Sequence, residues 1–156
     1  MKYFTIQELT SSQTAAKRGI KNETTPEIEQ NLIALVAAVL DPLREKWGKP
    51  IKVHSGYRCP ELNKAVGGVP TSQHMKGEAA DISAGSPEET AKLGRMLVGM
   101  GAFDQVIFEN CNRECTEAGW IHVSWKRKGD NRGEIKKHVK GTGNVYPLVN
   151  RKEIGL

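Results

Sequence analysis

The sequence predicts an α+β fold, with helices grouped against a small antiparallel sheet. Three observations carry that expectation. Two long stretches keep helical apolar spacing behind strong capping signals. Five short runs read as strands, and turn residues punctuate the chain between them. No internal repeat is present.

Residues 1–24 are polar, and Phe4-Thr5-Ile6-Gln7-Glu8-Leu9 reads as one helical turn. A helix then begins cleanly: Thr25 can cap, Pro26 suits the first helical position, and Glu27 favours the positive end of the dipole. Ile28, Leu32, Leu35, Val36, Val39, Leu40 and Leu43 keep its apolar stripe. Pro42 falls inside this pattern and removes a backbone donor, which predicts a kink or break. Gly48-Lys49-Pro50 ends the element.

Ile51-Lys52-Val53-His54 alternates like a strand. Residues 60–66 read as a short helix closed by Gly67-Gly68, residues 69–78 as loop, and 79–83 as a strand of small residues. Ser86, Pro87 and Glu89 start a second long helix that runs to Met100 and stops at Gly101. Residues 104–109 and 120–125 read as strands joined by a polar loop. The last thirty residues are glycine-rich and irregular, with one strand at 145–149. The expected organisation is one domain over residues 1–156, with a motif core at 51–125 and a basic C-terminal segment at 126–156.

At 156 residues the chain is long enough to bury a real core, and 38% hydrophobic with 26% charged residues is ordinary for a soluble globular protein. No apolar run approaches the ~20 residues needed to span a bilayer. Met1-Lys2-Tyr3-Phe4-Thr5 lacks the apolar core of a signal peptide. The expectation is synthesis in the cytoplasm as a monomer, with release or delivery to any target outside. Three cysteines, Cys59, Cys111 and Cys115, argue against a disulfide framework. Cys111 and Cys115 are four apart, but only the distant Cys59 could join them at a metal, so reduced structural thiols are expected. Nine Lys or Arg stand against two acids between residues 126 and 152. Such a segment is usually a solvated surface, and it could also attract an anionic polymer. Aromatic and basic residues do not interleave as a base-stacking platform requires, which leaves a nucleic-acid partner resting on charge alone.

The four histidines differ in their surroundings. Ser72-Gln73-His74-Met75-Lys76-Gly77-Glu78-Ala79-Ala80-Asp81 sets a histidine seven residues before an aspartate, with Gly77 permitting a sharp bend. His122 lies in the apolar strand Trp120-Ile121-His122-Val123, sharing a face with Trp120 and Ser124. Brought together, His74, Asp81 and His122 would give two imidazoles and a carboxylate, a set that suits a four-coordinate zinc with one open position. Spacing alone leaves this open, because a strand histidine is more often a hydrogen-bonded core residue.

Ser55-Gly56-Tyr57-Arg58 with Pro60-Glu61-Leu62-Asn63, then Ser72-x-His74-x-x-Gly77-x-Ala79-x-Asp81, then Trp120-Ile121-His122-Val123 resembles the zinc D-Ala-D-Ala carboxypeptidase family. Within it the chain looks like the small phage-type and prophage-type members; the wider group includes lysostaphin-like enzymes and the hedgehog signalling domain. The resemblance runs over roughly residues 4–125. It implies Zn2+ on His74, Asp81 and His122, and a peptidase acting on bacterial wall peptides. It also implies an active-site role for Arg58, as an oxyanion or substrate-carboxylate partner, and a position near the metal for Ser72.

The general base departs from part of that pattern. Some relatives carry a glutamate three residues before the last zinc histidine, where this chain has Gly119. Others carry the acid at the end of the preceding strand, which points to Glu109, with Glu117 as the alternative. Trp120 stands where some members of the wider group have a second histidine. His54 is expected to be a satisfied, partly buried residue and His138 an exposed one. The resulting expectation is a zinc peptidase that cuts peptidoglycan peptides in an endolysin-like role. The missing acid at 119 keeps a second class in view, a catalytically inactive zinc-stabilised wall-binding module.

Overall fold

The computed structural model describes residues 1–156. Thr25 caps as its sequence predicts, its Oγ1 accepting from the Ile28 N–H at 3.2 Å to open α3 (Pro26–Leu35), the third helix of the chain. Pro42 does not break the rod. Residues Val36–Leu40 form a π turn in which the Asp41 N–H reaches back to the Val36 carbonyl, and the helix runs on as α4 (Asp41–Trp47). The wider turn just ahead of the proline absorbs its ring and its missing donor, so a bulge replaces the expected kink. Leu32, Leu35, Val36, Val39, Leu40 and Leu43 are all buried on one side.

The polar N-terminus holds two short helices rather than one, α1 (Ile6–Thr10) and α2 (Gln13–Arg18). The second carries no apolar period to read: Ala15 is its one buried residue, and it is fixed by the Ser12 hydroxyl, which accepts from the Ala15 N–H at 3.2 Å.

Five strands make the sheet: β1 (Lys52–Ser55), β2 (Ala79–Ser83), β3 (Gln105–Cys111), β4 (Trp120–Ser124) and β5 (Glu134–Val139), in the order β1-β2-β4-β3-β5. The first four pair antiparallel, whereas β5 pairs parallel to β3. The expected α+β fold with its antiparallel sheet is thus present, with β5 as a parallel addition, whereas the expected irregular C-terminus with a strand at 145–149 is not. Residues 145–149 contribute one bridge, Leu148 to Lys136, while the strand itself forms ten residues earlier. The cause is Asp104, whose carboxylate accepts from the Arg132 N–H at 2.9 Å and whose carbonyl accepts from the Glu134 N–H at 2.9 Å. Those bonds dock the returning chain beside the start of β3. The lysine-rich run Glu134-Ile135-Lys136-Lys137-His138-Val139 hides its alternation from a hydrophobic reading.

Register sorts the sheet into two faces. Ala80, Ile82, Val106, Phe108, Ile121 and Val123 are fully buried, and they form the back face against α6 (Pro87–Met100). Gly94 of α6 lies so close that a Cβ there would stand 2.6 Å from the Phe108 ring. On the front face Asp81 lies opposite His122, His122 opposite Ile107, and Glu109 opposite Trp120. The back face supplies the hydrophobic stabilisation, at about 1.5–3 kcal/mol per large side chain, and leaves the front face free for chemistry. No helix is long and apolar enough to cross a membrane.

Candidate metal centre and cleft

His74 sits on a short 3-10 helix, Gln73–Lys76, opened by Ser72 and closed by Gly77. The Ser72 hydroxyl accepts from the His74 N–H at 3.2 Å. Gly77 has φ +70°, and a Cβ there would stand 2.8 Å from the Ile28 carbonyl oxygen, so the bend needs glycine on two counts. The His74 ring is nearly inaccessible, and its Nδ1 lies 2.7 Å from the Gly56 carbonyl oxygen. A carbonyl only accepts, so Nδ1 donates and the lone pair of Nε2 is turned to Asp81 Oδ1, 3.2 Å away.

His122 is held in the mirror-image way. Its Nε2 lies 3.1 Å from Gln73 Oε1, and its Nδ1 lies 3.1 Å from the same Asp81 Oδ1. Gln73 cannot turn its amide, because its Nε2 donates to Asp104 Oδ2 at 2.9 Å. Burial opposes the charged form of Asp104, but its hydrogen bonds with Arg132 outweigh that and hold its pKa at about 2. An ionised carboxylate only accepts, so Gln73 must offer oxygen to His122, and His122 Nδ1 is left bare.

Two imidazole lone pairs and a carboxylate oxygen thus converge, all within 4.8 Å of one another, with the ring protons committed elsewhere. Three acceptors at this spacing repel unless a cation lies among them. The donor set and the outward-facing lone pairs fit a zinc ion.

Arg58 follows β1 and is drawn into the same cluster. Its Nε donates to Ser55 Oγ at 3.0 Å, Nη1 to Asn63 Oδ1 at 3.1 Å and Nη2 to Asp81 Oδ2 at 3.5 Å. Asn63 belongs to α5 (Pro60–Ala65), whose first turn is capped by the Cys59 sulfur. Burial lowers the Arg58 pKa, and Asp81 opposes that shift.

These residues line an open cleft of about 880 Å³ whose walls also include Ser72, Glu109, Trp120, Lys136 and Tyr146. Glu109 is only 8% exposed. Burial, then the Asp81 charge, raise its pKa above the ordinary carboxylate value, with the Tyr146 hydrogen bond opposing. Glu117 is elsewhere: its side chain is exposed and pairs with Glu88 at the start of α6. His54 is a satisfied residue, 2.6 Å from Ser83 Oγ. His138 is not exposed as expected. Its side chain keeps 18% of its surface, stacks on Tyr146 with centroids 4.8 Å apart, and turns Nδ1 toward Glu109 Oε2 at 3.7 Å. The three thiols are free and buried; Cys111 and Cys115 are 3.8 Å apart, and Cys59 does not join them.

Sequence reasoning missed Gln73, Asp104, Arg132, His138 and Tyr146. Gln73 and Asp104 stood beside recognised motifs, yet no spacing rule marks a side chain that acts by orienting another. His138 and Tyr146 reach the cleft only because β5 pairs with β3.

The fold and the cleft present three side chains placed to hold a metal, with access for a further ligand, the layout of catalytic rather than closed structural sites. The chain belongs to the Peptidase M15 family, whose model matches residues 2–124. Among individual proteins it is similar to the zinc D-Ala-D-Ala carboxypeptidase of Streptomyces albus G, with 48% identity over 48 residues. That match spans 30% of this chain and 19% of the relative, so the chain covers about a fifth of that protein's length. Arg132, Lys136, His138 and Tyr146 lie beyond the family match.

Proposed function

We propose that this chain is a zinc-dependent peptidase that hydrolyses peptidoglycan stem or cross-bridge peptides, in an endolysin-like role. The observation that carries the reading is the convergence of His74 Nε2, His122 Nδ1 and Asp81 Oδ1 on one point of an open cleft. Membership of the Peptidase M15 family supports amide hydrolysis, and the relative's D-Ala-D-Ala specificity supports a wall peptide as substrate.

His74, Asp81 and His122 hold Zn2+, which supplies Lewis acidity for polarising a carbonyl and acidifying water. Glu109 is the general base: on the same sheet face as the ligands and largely desolvated, it takes a proton from the attacking water and returns it to the leaving amine. A raised pKa suits a group that must both accept and release that proton. Arg58, fixed by Ser55, Asn63 and Asp81, offers its guanidinium to negative charge developing on the carbonyl oxygen or to the substrate carboxylate. Ser72 supports the ligand loop through the His74 N–H and contributes to the cleft wall that the substrate meets.

Digestion of purified peptidoglycan with and without a chelator, with mass spectrometry of the fragments, tests the reading and names the bond. New peptide ends that vanish on chelation and return with zinc are expected. Metal-loaded protein that releases nothing from walls of several chemotypes, yet sediments with them, would instead identify a wall-binding module.

A further inference from the structure

Glu109 is held from a direction that the ligand motifs do not supply. Two side chains approach its Oε2, the Tyr146 hydroxyl at 3.5 Å and His138 Nδ1 at 3.7 Å. Both come from the segment after residue 124, beyond the family match. They are locked to each other by ring stacking at 16° between planes. The His138 tautomer is fixed as well, because Nε2 lies 2.5 Å from the Gly143 carbonyl oxygen and must donate to it. Nδ1 is buried, without a hydrogen-bond partner, and turned to Glu109 Oε2. A buried polar atom left open costs stability unless function needs it.

We propose that Tyr146 and His138 form a positioning clamp on Oε2 of Glu109, an inference that rests on Glu109 being the general base. The clamp engages Oε2, and no hydrogen bond of the protein engages Oε1, which is left for the attacking water. Charged or titratable groups near Glu109 are Asp81 of β2, His122 of β4, and His138 and Tyr146 of the C-terminal segment. Of these, Tyr146 and His138 alone approach Oε2. The proton that Glu109 takes from water is carried on the free Oε1 and is then returned to the leaving amine, so the base ends the cycle ionised. Contacts of 3.5 and 3.7 Å are long, as hydrogen bonds in substrate-free sites commonly are before they tighten.

Tyr146→Phe, His138→Ala and His138→Asn test the clamp in the full-length zinc-loaded protein. Tyr146→Phe removes only a hydroxyl from a residue at the surface, so it keeps the fold. The clamp predicts unchanged zinc content and melting temperature, a kcat on wall peptides reduced about 10- to 100-fold with KM within twofold, and partial recovery of His138→Ala by His138→Asn. A second readout needs no activity. In the metal-free protein, nitrogen-15 spectra of the histidine rings should report a protonated Nε2 for His138 and an Nδ1 signal that shifts in Glu109→Gln. Wild-type kcat in both Tyr146→Phe and His138→Ala, or an Nδ1 signal indifferent to Glu109→Gln, would overturn the clamp. Absence of wall hydrolysis in the wild type, with the Nδ1 coupling present, would instead count against the peptidase reading.

Discussion

The side-chain amide of Gln73 donates to the carboxylate of Asp104 across 2.9 Å, and that bond decides which nitrogen of His122 is left bare. Asp104 fixes the amide, the amide oxygen fixes the Nε2–H tautomer, and Nδ1 is turned to Asp81. Arg132 completes the chain by donating to both Asp104 oxygens, at 3.1 and 2.8 Å. The proposed metal ligand on β4 is thus oriented by a cation on the approach to β5.

Asp104→Asn removes the reason for Gln73 to hold its orientation. Zinc affinity should fall about 10- to 100-fold, the usual cost of losing a partner that orients a ligand. Competition against a chromophoric chelator measures it, and an unchanged dissociation constant would refute the relay.

The same residue predicts an acid limb of stability. Its folded pKa of about 2 lies below the ordinary 3.8, so its contribution is complete above pH ~4 and is lost as pH falls through ~2. The shift corresponds to about 2 kcal/mol. Denaturant unfolding of wild type and Asp104→Asn should differ by about that amount at pH 6 and converge near pH 2.

Glu109→Gln should abolish turnover while keeping zinc, which mass spectrometry of the intact metal-loaded protein would register. Its pH signature runs opposite to that of Asp104. A raised folded pKa means that ionisation of Glu109 costs stability as pH rises through that value. The metal-free variant should therefore melt above the wild type at pH 8 and together with it below pH ~4. Full activity in this variant would move the base elsewhere.

Chelation should lower the melting temperature without unfolding the protein, because the back face of the sheet and the helices form a core independent of the ligands. Zinc at about 100 times its dissociation constant should restore about 2.7 kcal/mol. Loss of the far-ultraviolet helical signal on chelation would contradict this.

Gly56→Ala reaches the site from behind. An added Cβ would stand 2.1 Å from the Leu9 carbonyl oxygen, which accepts from the Tyr57 N–H. The backbone must shift, and the Gly56 carbonyl that orients His74 moves with it. A loss of about 1–3 kcal/mol is expected, together with weaker zinc binding, read by thermal melts at several zinc concentrations.

Much of the protein was legible from local chemistry. Thr25-Pro26 and Ser86-Pro87 opened their helices where capping predicts, and the strands at 79–83 and 120–124 appeared as apolar runs. The convergence of His74, Asp81 and His122 was legible because His74 and Asp81 share a patterned loop and His122 breaks an apolar strand. Capping, periodicity and motif spacing act over a few residues, and the sequence carries them directly. The parallel pairing of β5, the π turn that absorbs Pro42, the Gln73–Asp104–Arg132 relay and the approach of His138 and Tyr146 to Glu109 belong to the tertiary structure alone. Each depends on segments brought together by burial of the back face, a non-directional force whose long-range partners no local pattern specifies.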